Sequence, residues 1–78
     1  MDGELIISGN DTRVRLAFGD GDVMVFPKGV LIAIADTSDM VTFKLTASRK
    51  TVCSWPFGRI SPSLATAAET VEALNEIL

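Results

Sequence analysis

The chain has 78 residues and a formal net charge of −3, from seven basic and ten acidic side chains, with one cysteine and no histidine. Independent domains need roughly 50 to 200 residues each, so residues 1–78 are read as one domain around one core. The inventory excludes an intramolecular disulfide, a zinc site of the usual Cys/His type, and a Ser-His or Cys-His nucleophile pair.

In chain order, Met1-Asp2-Gly3-Glu4 is acidic where a secretory signal is basic, and no apolar run approaches the roughly 20 residues of a membrane span. The expectation is a cytoplasmic chain with no membrane partner. Leu5 to Ser8 reads as a first strand before the turn-like Gly9-Asn10-Asp11. Arg13 to Phe18 alternates, with Val14, Leu16 and Phe18 on one face and both arginines on the other. Gly19-Asp20-Gly21-Asp22 tolerates the positive φ of a tight hairpin turn, so Val23 to Phe26 should return antiparallel.

Pro27-Lys28-Gly29 breaks the next connection, and Val30 to Ala35 follows as a strand that is apolar on both faces. Asp36-Thr37-Ser38-Asp39 is a polar loop whose short side chains favour a turn. Val41, Phe43 and Leu45 then alternate with Thr42, Lys44 and Thr46, Ser48-Arg49-Lys50 turns the chain, and Thr51 to Trp55 returns. The meander spans about residues 4–57.

After Pro56 the period changes to that of a helix. Leu64, Ala67, Ala68, Val71, Leu74 and Leu78 share one face, and Glu69, Glu72 and Glu76 share another with no cation among them. Ser61 before Pro62 suits a helix start, and Thr66 with Glu69 suits a capping box; the first gives a helix over about residues 62–78. Asn75 lies near the apolar face, placed either to cap local backbone or to bond a partner. The expected fold is α+β: an antiparallel β-meander of five or six strands, flat or folded toward a partial barrel, with one C-terminal helix packed on it.

Candidate sites are few. Cys53 beside Trp55 reads as a small apolar filler rather than a reactive thiol. The turn carboxylates lack the spacing of a calcium loop, and Gly19-Asp20-Gly21 is followed by a strand rather than the helix a phosphate loop requires. Neither a metal nor a cofactor is therefore expected. Lys44, Arg49, Lys50 and Arg59 form a basic group interleaved with Phe43, Trp55 and Phe57, the pattern of a single-stranded nucleic-acid or anion site. The acidic total charge weighs against it, because that affinity comes from Lys and Arg displacing counterions. Trp55-Pro56-Phe57 places two aromatics either as a latch for the helix or as interface anchors.

One helix cannot cover both faces of a sheet. In Val30 to Ala35, Val30, Ile32 and Ile34 point one way and Leu31, Ala33 and Ala35 the other; either the meander folds into a small barrel that buries the uncovered face on itself, or the second set is expected to meet a protein partner or another copy. Together with the shortage of catalytic groups, this predicts a non-enzymatic assembly or interaction module, with a small nucleic-acid or anion-binding domain as the rival.

Short strands leading to a helix that closes Val71-Glu72-Ala73-Leu74-Asn75-Glu76-Ile77-Leu78 resemble the small accessory proteins encoded in bacteriophage and prophage regions. The resemblance implies a virion-associated or assembly role without catalysis. It transfers no functional residue.

Overall fold

The computed structural model describes residues 3–36 and 39–78, so Thr37 and Ser38, the middle of the expected polar loop, lie outside the described residues, as do Met1 and Asp2. Among the described residues seven strands form two sheets, with one helix at the C-terminal end. The first sheet holds β1 (Leu5–Gly9), β2 (Arg13–Phe18), β3 (Val23–Pro27) and β7 (Ile60–Ser61), in the order β3-β2-β1-β7. The second holds β4 (Leu31–Ala35), β5 (Met40–Leu45) and β6 (Thr51–Pro56), in the order β4-β5-β6. A 3₁₀ turn at Phe57–Arg59 leads from β6 into β7. The α+β class and the hairpin order hold, but the single antiparallel meander does not. The chain divides into two sheets with no closed barrel, and β7 runs parallel to β1, Leu5 beside Ile60 and Ile6 beside Ser61.

One core joins the two sheets. Alternation along β1 and β2 turns Leu5, Ile7, Val14 and Leu16 inward, and they meet Val41, Phe43 and Trp55 from the second sheet. The strongest alternating strand, β5, behaves as its pattern requires, burying Val41 and Phe43 completely. Thr42 on its other face is buried too. Its hydroxyl is satisfied there by Ser54 Oγ at 3.0 Å and by donating to Asp36 Oδ2 at 3.3 Å.

The helix α1 (Ala67–Ile77) starts at Thr66, not near Pro62, because Ile60 and Ser61 are taken into the parallel ladder. Thr66 Oγ1 accepts from Glu69 N at 3.2 Å and donates to Glu69 Oε1 at 3.2 Å, which closes the first turn and satisfies an amide no carbonyl reaches. Thr70, completely buried, accepts from Leu64 N at 2.9 Å and donates to Thr66 O at 2.8 Å, fastening the lead-in segment to the helix. The shorter helix is about 16 Å long at 1.5 Å per residue, and Leu64, expected on its buried face, lies before it and is 50% exposed. Ala67, Thr70 and Leu74 form the face that α1 buries, and Leu78 follows them into the core. At Gly9 an added Cβ would stand 3.1 Å from Ile77 Cγ2, so the absence of a side chain lets the end of α1 close over β1.

Candidate interaction surface

Each sheet has two edge strands, and an edge strand presents backbone donors and acceptors that can recruit another chain. Three of the four edges carry protection. On β4, Asn75 from α1 lies alongside like a short piece of strand: its Oδ1 accepts from Ala33 N at 2.9 Å and its Nδ2 donates to Ala33 O at 3.0 Å. Gly29 N, just before that strand, donates to Leu78 O at 2.9 Å. On β6, a register shift opposite Phe43 and Lys44 makes a bulge that breaks the regular ladder. On the first sheet, β7 is two residues long.

The fourth edge, β3, has none of these devices over five residues. Its ladder to β2 extends past both ends, since Phe18 N donates to Asp22 O at 2.8 Å and Lys28 N donates to Thr12 O at 2.9 Å. Residues in an antiparallel strand alternate between facing the neighbour and facing away, so positions 22, 24, 26 and 28 bond β2. The amides and carbonyls of Val23 and Val25 therefore point outward. Pro27 falls in the outward-facing series, where its missing amide removes no bond within the sheet.

The side chains here are as open as the backbone. Val23 is 44% exposed, Met24 37% and Val25 55%, three of the five large apolar residues most exposed among those described. Cross-strand pairing sets Ile6, Ala17 and Val23 in one row on the outer face and Ser8, Arg15 and Val25 in the next, with Arg13 beside Pro27. Ile6 is 52% exposed, so this face of the first sheet lacks a cover from α1. Below the same edge lies a cleft of about 460 Å³ between the β2–β3 hairpin and β6, lined on one side by Phe18, Val23 and Met24 and on the other by Val52, Cys53 and Trp55.

The residues singled out from sequence fall elsewhere. Leu31 and Ala33, expected to meet a protein partner or another copy, are 4% and 2% exposed and belong to the core; only Ala35, at the end of β4, is open. The reversal has a physical cause. Cross-strand pairing sets Leu31 beside Leu45 and Ala33 beside Phe43, on the face that shares the core with the first sheet, which leaves Ile32 and Ile34 half-buried on the opposite face beside Lys44 and Thr42. Trp55 is buried with its ring 5.3 Å from that of Phe18 at 55°, and Phe57 is packed on the same core, so they brace the two sheets together. Trp55 Nε1 has no hydrogen-bond partner among the described residues.

The basic group separates into two places. Lys44 sits across from Thr51 beside the turn that carries Arg49 and Lys50, and Arg49 adopts φ 63° in that turn. Arg59 follows the far end of β6, about 17 Å away by strand rise from Thr51 to Pro56. Cys53 is half-buried, and desolvation raises the pKa of its thiol, which holds it in the protonated, unreactive form. Composition and alternation did not mark β3 as a site, although Val-Met-Val-Phe ahead of a proline is the available signal: an apolar run with proline at its end fits an edge strand.

No protein-family model matches the chain, and neither a curated protein nor a solved structure does. Fold and surface define a small two-sheet α+β domain whose β3 edge is blocked at one end only, by Pro27. Among the described residues no helix is long and apolar enough to cross a membrane.

Proposed function

We propose that the protein is a non-enzymatic interaction module that docks other protein chains through the edge of β3 and the adjoining outer face of the first sheet. One observation carries the reading: the same short strand exposes outward-facing backbone at Val23 and Val25 and large apolar side chains at Val23, Met24 and Val25. Adding a strand there would satisfy the backbone and cover the side chains in one step. An assembly role is also what the likeness to phage and prophage accessory proteins implies.

The test is affinity capture from the cells the protein comes from, with the wild-type chain, Val25→Lys, and the pair Arg49→Ala with Lys50→Ala. Docking at β3 predicts a captured protein that is lost with Val25→Lys and kept with the arginine and lysine variant. The rival is a nucleic-acid or anion-binding domain using Lys44, Arg49 and Lys50. A labelled oligonucleotide that binds at low salt, releases as salt rises, and fails to bind the Arg49→Ala, Lys50→Ala protein would replace the proposal with the rival.

A further inference from the structure

We infer that β3 pairs with β3 of a second copy, antiparallel about a two-fold axis at Val25, to make one continuous eight-stranded sheet. This deepens the reading of β3 as a docking edge and rests on it. A two-fold pairing must be self-complementary, because rotation about the axis sets each residue against the one equally far from the axis on the other side. Centred on Val25, the register matches throughout. Val25 faces Val25 of the other copy, Val23 faces Pro27, Met24 faces Phe26, and Asp22 faces Lys28.

The backbone agrees with that register. Val25 points its amide and carbonyl outward, so two copies exchange two hydrogen bonds at the axis. Val23 also points outward and donates to the carbonyl of Pro27 on the other copy, adding two more. Proline is needed here only as an acceptor, so its lack of an amide costs little. On the outer face the pairing extends the row of exposed valines across the axis, and on the inner face Met24 gains cover from Phe26.

Charge selects this register over its neighbours. Asp22 and Lys28 are held at the two ends of the β2–β3 ladder by the bonds from Phe18 N and to Thr12 O, and both are exposed. Lys28 Nζ donates to Asn10 O at 3.3 Å, which leaves two ammonium protons for a carboxylate. Centred on Val23, the pairing would bring the Asp20 and Asp22 turns of both copies together with Lys28 left outside. Centred on Met24, it would set Asp22 against Phe26. Centred on Pro27, it would place two residues without amides face to face.

Solution mass, measured by sedimentation over a concentration series up to about 1 mM, reads the pairing directly. The wild-type chain should shift from one copy to two. Val25→Pro deletes the amide at the axis, two of the four inter-copy bonds, without touching a bond inside the sheet, and should weaken association on the order of tenfold to a hundredfold. Asp22→Lys and Lys28→Asp should each weaken it by roughly threefold, and the double variant, which restores opposite charges, should return it close to wild type. That rescue remains decisive even if Val25→Pro fails to fold. A chain that stays single at every concentration overturns the inference, as does a dimer indifferent to all four variants. If the single chain still captures another protein in a Val25-dependent way, docking at β3 stands and self-pairing falls; if capture fails as well, both fall.

Discussion

Asn75 gives the fold its most testable joint, because one exposed carboxamide connects α1 to the edge of β4 through two bonds, at 2.9 Å to Ala33 N and 3.0 Å to Ala33 O. Asn75→Ala removes both and leaves a partly buried amide and carbonyl in a strand that water reaches poorly. At a net value of about 0.5–1.5 kcal/mol per bond, the loss is about 1–3 kcal/mol, and the exposure of Asn75 itself favours the lower half of that range. In a domain of this size each kcal/mol moves Tm by roughly 4–8 °C, so calorimetry should show a fall of about 5–15 °C. Asn75→Asp sharpens the test. A carboxylate still accepts from Ala33 N but sets a negative oxygen against Ala33 O, so the folded state holds the proton more tightly than the unfolded state. Stability relative to wild type should therefore be regained as pH falls and the carboxyl protonates, and lost as pH rises. A Tm within about 2 °C of wild type for Asn75→Ala, below the effect of even one lost bond, would refute the bridging role.

Other outcomes follow from single positions. Leu31→Lys buries a charge in the core and should cost about 3–5 kcal/mol or abolish folding, while Val25→Lys, at a 55% exposed site, should change stability by less than about 1 kcal/mol; denaturant titration compares them. Gly19→Ala places a Cβ 2.8 Å from Gly3 Cα, backbone against backbone, and should cost about 1–3 kcal/mol in the same assay. The raised thiol pKa of Cys53 predicts slow labelling by a disulfide reagent at neutral pH in the folded protein and rapid labelling once it is unfolded. The folded state keeps that proton longer than the unfolded state, so the thiol's contribution to stability is complete below the unfolded pKa and declines as pH rises through the alkaline range. Cys53→Ala should remove that decline.

Much of the fold is legible where one physical rule acts alone. β2 alternates clearly because one face meets the core, β5 alternates in sequence although Thr42 on its other face is buried as well, and Thr66 with Glu69 forms the cap that the spacing suggests. β4 is illegible for the opposite reason. With apolar residues on both faces, periodicity cannot say which face meets the core, and Ile32 with Ile34 resembles core at least as much as Leu31 with Ala33 does. β7 offers two residues with no alternation, and its parallel partner lies at the other end of the chain, beyond any local pattern. The division into two sheets at Pro27-Lys28-Gly29 looks in sequence like any hairpin turn. Asn75 stood out as a polar residue near an apolar face, yet its partner is backbone across the fold, which no helical wheel displays. The proposed surface was hidden likewise, because exposure at an edge depends on what every other element covers.

The most direct measurement is residue-resolved NMR of isotopically labelled protein, recorded alone and in a lysate of the cells it comes from. Contact through the β3 edge predicts that the amide signals of Val23, Met24 and Val25 shift or broaden first, while those of Leu31 and Ala33, covered by α1, keep their positions. Signals at β3 that stay unchanged while Lys44, Arg49 and Lys50 respond, or while Ala35 responds alone, would contradict it.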